Sequence, residues 1–282
     1  MSIKRKSVMT FTVQDCLKIS TQDAILCHVL KVSRAYLHAH PEQILSDEQY
    51  QQFQTLMQDL NLGKPLAYIL GHQEFWSLDL MVNEDVLIPR PETELLVESI
   101  LDIKLHQANL TIADLGTGSG AIALALAASM PNATVYATDL SEKAIAIAKL
   151  NAERLSVKNI HFVVGDWFSA LPAMQFDVIV SNPPYVGRND PFLAKNVADY
   201  EPHLALFAEN DGLKAINDII HYAPAYLKPG GHLFLEHGFQ QAERISNIFA
   251  EVGYTDMTFK KDLAGLDRVI FACWSVSKDG LI

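Results

Sequence analysis

The chain has 282 residues, 49% of them hydrophobic and 20% charged, with a formal net charge of -11, which is enough material for a sizeable core in one large or two unequal domains. The charge is uneven: residues 1–80 hold seven Lys or Arg against eight Asp or Glu, leaving fifteen against twenty-five for the rest. An acidic surface whose longest basic run is Lys4-Arg5-Lys6 excludes tight, sequence-independent nucleic-acid binding, and three scattered cysteines (Cys16, Cys27, Cys273) exclude a disulfide framework or a Cys-based zinc site.

The richest apolar stretch, Ala121 to Met130, is too short to span a bilayer. The histidines, among them His72, His161, His203, His232 and His237, show no metal-ligand spacing. A soluble, cytoplasmic protein without membrane contact or metal is expected.

From Val13 to about Leu62 the apolar positions recur at helical spacing. Ile25, Leu26, Val29 and Leu30 mark one face, and Tyr50, Phe53, Leu56, Met57 and Leu60 another. Ser46 and Gln49 have capping-box spacing, and Gly63 stands where a helix would stop. Phe75 to Ile88 alternates around Asn83-Glu84-Asp85, which predicts a β-hairpin. From Thr111 onward, strand-like segments (TIADLG, TVYATDL, NIHFVVG, FDVIVS) alternate with helical ones. That order predicts a mostly parallel α/β sheet, and the helix-free pair near Thr255 to Phe259 and Arg268 to Trp274 predicts an antiparallel edge. Expected boundaries are a helical domain over residues 1–74, a hairpin linker over 75–90 and an α/β domain over 91–282.

The segment Asp114-Leu-Gly-Thr-Gly-Ser-Gly120 follows an apolar strand and opens a helix, so its glycines permit a tight turn and close approach to a ligand. It reads GxGxG rather than GxGxxG and lacks the Lys-Ser/Thr ending of a phosphate loop. Its cofactor therefore need not carry phosphates. Asp139 ends the next strand about twenty residues on, where a carboxylate can accept hydrogen bonds from both ribose hydroxyls; its structural alternative is capping the helix that begins near Ser141. Asp166-Trp167 follows the third strand at the same edge, where Trp167 can pack on an adenine or serve as ordinary core. Three elements on one edge in this order point to S-adenosylmethionine.

After the apolar strand FDVIV comes Asn182-Pro183-Pro184-Tyr185. A conjugated amide or amine nitrogen is a poor nucleophile because its lone pair is delocalised, so it needs acceptors on both of its hydrogens. The Asn182 oxygen supplies one and the Pro183 carbonyl the other, on a backbone that consecutive prolines hold rigid, while Tyr185 can stack on the planar group. The plain alternative is a Pro-Pro loop punctuating a strand.

With these motifs in place the chain resembles the HemK/PrmC protein-glutamine methyltransferases, over nearly its whole length. The resemblance rests on PLAYILGHQEFW (65–76), IPRPETE (88–94), DLGTGSG (114–120), SNPPY (181–185), EPHLALFAENDGL (201–213) and DLAGLDR (262–268). It implies a Rossmann-like class I methyltransferase domain that uses S-adenosylmethionine and acts on peptide chain release factors, at the glutamine of a Gly-Gly-Gln tripeptide. Carried onto this chain, it implies cofactor binding by Gly116, Thr117, Gly118, Ser119, Gly120, Asp139, Trp167 and Asn182. It implies substrate binding by Asn182, Pro183, Pro184 and Tyr185, with Asn182, Pro183 and Tyr185 at the chemistry. It also places IPRPETE near the site, although Pro91 at a first helical turn with Glu92 and Glu94 at a helix N-terminus is an equally good account. The alternatives are a nucleic-acid amine methyltransferase, which should carry a basic groove, and a non-catalytic cofactor-binding module, which should have lost part of the glycine loop or of Asn182 to Tyr185.

Overall fold

The structure is a computed structural model that describes residues 11–17, 20–103, 109–188 and 190–275. Among these, no helix is long and apolar enough to cross a membrane, and no group of His, Cys, Asp or Glu could hold a metal ion. The basic run Lys4 to Lys6 lies outside the described residues. The chain divides into two compact units, residues 1–71 and 72–282, so the segment expected to be a linker falls inside the second unit.

The first unit is helical: α1 (Val13–Cys16), α2 (Ser20–Leu30), α3 (Arg34–Ala39), α4 (Asp47–Asn61) and α5 (Leu66–Leu70). Its core gathers Val13, Ile25, Leu26, Leu37, Phe53 and Ile69. The capping box at the start of α4 is formed: Ser46 Oγ accepts from the Gln49 N–H, and Gln49 Oε1 accepts from the Ser46 N–H. Two of the helix's orphan donors are satisfied in this way.

The second unit opens with a hairpin, β1 (His72–Phe75) and β2 (Leu78–Met81). Its turn is Trp76-Ser77, not Asn83-Glu84-Asp85 as the alternation suggested. Both turn residues have positive φ, 52° and 59°, a conformation that favours Gly or Asn and that tertiary bonds hold here. The Trp76 N–H donates to Glu94 Oε1 at 2.8 Å, and the indole N–H to Ser129 Oγ at 3.1 Å. Asn83 to Val86 forms a turn of its own, with Asn83 Oδ1 accepting from the Asp85 N–H.

The remaining elements run α6 (Glu94–Asp102), β3 (Thr111–Leu115), α7 (Ala121–Ser129), β4 (Thr134–Asp139), α8 (Glu142–Leu155), β5 (Ile160–Val164), β6 (Phe176–Ser181), α9 (Lys195–Tyr200), α10 (His203–Leu206), α11 (Lys214–Tyr222), β7 (Leu227–Glu236), α12 (Ala242–Val252), β8 (Thr255–Lys261) and β9 (Asp267–Trp274). The sheet order is β5-β4-β3-β6-β7-β9-β8, parallel from β5 to β7, with β9 antiparallel to both of its neighbours. The central strands β3 and β6 and the second half of β7 are buried on both faces, whereas the flanking β5 is partly exposed and β8 largely so. On β3, β6, β7 and β9, Ile112, Val178, Phe234 and Val269 join one cluster with α6 and α7, while Ala113, Ile179, Leu233 and Ile270 join another with α11 and α12. That alternation is the period-two signature of a strand, and full burial makes these segments read as continuous apolar runs. Helix α7 is apolar all round, with Ala121 to Ala127 buried throughout, as a helix packed on several sides must be. The strand order reverses beside β3, which opens a crevice at the carboxyl ends of β3, β4 and β6.

Candidate active site

The turn after β3 is shaped by bonds to its own sheet. The N–H groups of Gly116 and Thr117 both donate to the Thr138 carbonyl at 2.9 Å. Gly116, Gly118 and Gly120 have φ of 74°, 57° and 86°, where a β-carbon is disfavoured. At Gly116 a β-carbon would also lie 3.2 Å from the Trp167 ring, so the indole covers this glycine closely. Trp167 itself has φ 39°.

Asp139 ends β4 with two backbone donors on its carboxylate: Gly118 N–H to Oδ2 and Ser141 N–H to Oδ1, each at 2.9 Å. The second bond is the local, cap-like contact anticipated as its alternative role, although the Ncap of α8 is Ser141. The first ties the carboxylate to the glycine turn. Burial raises its pKa, and the two backbone bonds act against that rise.

A cavity of about 360 Å³ is lined by Gly116, Gly118, Asp139, Trp167, Asn182 and Pro184. Thr117, Ser119 and Gly120 stand behind it. Thr117 Oγ1 donates to Asp114 Oδ2 at 2.6 Å, the Ser119 carbonyl accepts from Asn151 Nδ2 at 3.0 Å, and a β-carbon on Gly120 would strike Leu124 and Ala148. These residues set the path of the loop rather than its inner surface. Asp114 is fully buried, and burial raises its pKa to about 7.

The strand β6 ends at Ser181, whose hydroxyl donates to the Leu115 carbonyl at 2.7 Å and so fixes where Asn182 emerges. The Asn182 Nδ2 donates to Thr93 Oγ1 at 3.1 Å, Thr93 Oγ1 donates to Glu236 Oε2 at 2.6 Å, and the Tyr185 hydroxyl donates to Glu236 Oε1 at 3.0 Å. Glu236 closes β7 and is 1% exposed; burial raises its pKa, and the bonds from Thr93 and Tyr185 together with the charge of Arg268 oppose that rise. Gln241 Nε2 donates to the carbonyls of Tyr185 and Asp211, so Asp211-Gly212 runs against the tyrosine backbone.

A second cavity, of about 250 Å³, is lined by Arg90, Asn182, Pro183, Tyr185, Phe192 and Glu236. Asn182 lines both cavities, Pro184 only the first and Pro183 and Tyr185 only the second. The IPRPETE segment is built into this wall. Pro91–Thr93 is a 3-10 turn, Arg90 forms an ion pair with Glu201, and Glu201 Oε2 accepts from the Ile88 N–H at 3.1 Å. Thr93, Arg90, Glu201 and Glu236 were given no task by the sequence, although Thr93, Arg90 and Glu201 lie in motifs it singled out.

The chain is 46% identical to the release factor glutamine methyltransferase of Coxiella burnetii, over 95% of this chain and 96% of that one. It belongs to the release factor glutamine methyltransferase family. The Aliivibrio fischeri member is 42% identical over 98% of this chain and 97% of its own. Residues 91–198 match the methyltransferase small domain family and residues 21–71 the PrmC N-terminal domain family. The first match takes in the glycine turn, Asp139, Trp167 and Asn182 to Tyr185, whereas Glu201 and Glu236 lie beyond it. Among solved structures, a Pyrococcus furiosus methyltransferase superposes with a TM-score of 0.54 at 20% identity, over 71% of this chain and 90% of that one. The catalytic domain of human Mettl16 gives 0.56 at 19%, over 73% and 78%. These two likenesses concern the fold, which is the class I methyltransferase fold that the family resemblance implies and whose mostly parallel sheet the order of elements predicts.

Proposed function

We propose that this protein transfers a methyl group from S-adenosylmethionine to the side-chain amide nitrogen of the glutamine in the Gly-Gly-Gln tripeptide of peptide chain release factors. The observation that carries the reading is the position of Asn182: it lines both cavities, and its Nδ2 is engaged by Thr93. The edge it offers is therefore its oxygen, an acceptor suited to an amide N–H.

The first cavity fits the cofactor. Its volume is of the size that small-molecule sites have, Asp139 keeps lone pairs for ribose hydroxyls, Trp167 offers an apolar face for adenine, and the glycine turn carries no lysine for a phosphate. When bound, S-adenosylmethionine supplies a methyl group on a positively charged sulfur. The residues of the second cavity handle the acceptor. Asn182 Oδ1 and the Pro183 carbonyl accept hydrogen bonds from the two amide hydrogens, which leaves the nitrogen lone pair directed at the first cavity, and Tyr185 stacks on the amide plane; one of those hydrogens leaves as a proton after the nitrogen–methyl bond has formed. Positioning of this kind is the main contribution a methyl transfer needs from a protein. No metal and no covalent nucleophile is required.

The glycines beside the target glutamine add no side-chain bulk where the tripeptide enters the second cavity. Residues 1–74 give a second surface that helps to dock the release factor. The enzyme acts in the cytoplasm and does not bind nucleic acid directly, in keeping with the excess of acidic residues after residue 80.

The test measures methyl incorporation into a release factor, its Gln→Ala variant, a Gly-Gly-Gln peptide, DNA and RNA. Labelling is expected in the intact factor, weakly in the peptide, and not in the Gln→Ala variant or the nucleic acids. Equal labelling of the Gln→Ala variant would exclude this acceptor, labelling of nucleic acid alone would replace it with a base amine, and peptide turnover equal to that of the factor would remove the docking role.

A further inference from the structure

We infer that Glu236 is a positioning residue whose ionised carboxylate decides which edge of the Asn182 amide faces the acceptor nitrogen. Hydrogen-bond polarity is fixed link by link along the chain Asn182, Thr93, Glu236, Tyr185. An ionised carboxylate only accepts. It takes the single hydroxyl hydrogen of Thr93 on Oε2 and that of Tyr185 on Oε1. With its hydrogen committed, Thr93 Oγ1 can only accept from Asn182, so Asn182 must turn its NH2 toward Thr93 and its Oδ1 toward the cavities. The two ends of an asparagine amide differ only in such partners.

If the bond polarity at Thr93 were reversed, Asn182 would turn its NH2 to the cavity, and a donor would meet the donor N–H of the substrate amide. Protonation of Glu236 is one route to that reversal. A carboxylic acid donates from one oxygen, so one of the two hydroxyls can no longer give its hydrogen to it. The groups facing Glu236 are Thr93 and Glu92 from the 3-10 turn, Tyr185 from the loop after β6 and Arg268 from β9; Arg90, paired with Glu201, also acts on Tyr185. Arg268 favours the ionised form, whereas burial and Glu92 disfavour it, and burial is the largest influence. The switch accordingly lies above the ordinary range of a glutamate, and the enzyme should lose turnover on its acid side.

The proposal rests on transfer to a planar amide, and its experiment has one arm that needs no substrate. In the free enzyme, the side-chain NH2 signals of Asn182, assigned by their loss in Asn182→Asp, are followed by 15N NMR as pH falls. They should move with one titration in the wild type and not in Glu236→Gln. In the second arm, single-turnover rates on a release factor are measured against pH. Glu236→Gln accepts on one side only, and it should lower the rate by about 100-fold and lose the acid limb, with S-adenosylmethionine affinity changed by less than about threefold. Thr93→Val should resemble it, and Thr93→Ser, which keeps the hydroxyl, should recover the wild-type rate within about threefold. Asn182 signals that track no titration in the wild type, an acid limb surviving in Glu236→Gln, or equal rates for the valine and serine variants would each overturn the proposal. The NMR arm decides it whether or not a release factor is the substrate.

Discussion

The Gly118 N–H donates to Asp139 Oδ2 at 2.9 Å, joining the glycine turn after β3 to the end of β4 across 21 residues. Asp139 is thus both a ligand for the cofactor ribose in the proposed function and a brace for the turn that approaches the same cofactor. Asp139→Ala should weaken S-adenosylmethionine binding by about 1.5 to 3 kcal/mol, on the order of 10- to 100-fold, in a protein that remains folded. Calorimetric titration measures this, and unchanged affinity would leave Asp139 with the bracing role alone.

Glu201 is an interior anchor. Its side chain is 1% exposed, holds Arg90, whose side chain is 30% exposed, and accepts from the Ile88 backbone. Removing the acid leaves a guanidinium and an amide without their acceptor, so Glu201→Ala should cost about 3 to 5 kcal/mol. Glu201→Gln, which keeps one acceptor, should cost less. Urea unfolding gives both numbers. A Glu201→Ala loss below about 1 kcal/mol would make the pair no stronger than a surface salt bridge.

Gly212 has φ 85°, and a β-carbon there would lie 1.9 Å from the Tyr185 carbonyl oxygen. No side-chain rotation relieves a clash between backbones. Gly212→Ala should therefore destabilise the enzyme by more than about 2 kcal/mol and displace Tyr185, so that turnover falls even in the fraction that stays folded. Thermal melting combined with single-turnover rates checks this, and a wild-type melting temperature would show that the loop moves aside freely.

Asp114 is a buried acid whose pKa is raised from 3.8 to about 7, chiefly by burial. A carboxyl that binds its proton more tightly when folded stabilises the fold most below its unfolded pKa, and this contribution is lost as pH rises from about 4 through about 7. The loss has an upper bound on the order of 4 kcal/mol. The wild-type protein without cofactor should then melt at lower temperature as pH rises across that window, and Asp114→Asn should flatten the slope. Parallel slopes in the two proteins would show that Asp114 does not titrate there.

The parts of the fold and site that could be read in the sequence are those encoded by neighbours in the chain. The Ser46–Gln49 capping box joins residues three positions apart, and the glycine turn and Asn182 to Tyr185 each follow one apolar strand. The alternation of strands and helices carries its own period. The hairpin turn is not legible locally because Trp76-Ser77 has no intrinsic preference for its conformation; Glu94 and Ser129, 18 and 53 residues away, hold it. The polar chain behind Asn182 was invisible for the same reason. Its links join Asn182 to Thr93 across 89 residues, Thr93 to Glu236 across 143, and Tyr185 to Glu236 across 51. No local pattern marks a glutamate at a strand end as the acceptor for two hydroxyls so distant.

The insertion of β9 between β7 and β8 has a consequence for synthesis. During translation, the glycine turn, Asp139, Asn182 and Tyr185 all leave the ribosome before β9, and β7 carries Glu236 at its end with one edge still open. That edge pairs only with Asp267 to Trp274, and the His237 N–H beyond it waits for the Arg268 carbonyl. A nascent or truncated chain stopping short of residue 267 would expose an apolar strand edge, which invites pairing with other chains. The wall of the second cavity at Glu236 is therefore complete only once β9 has joined β7, and β9 in turn is the strand on which β8 is hung.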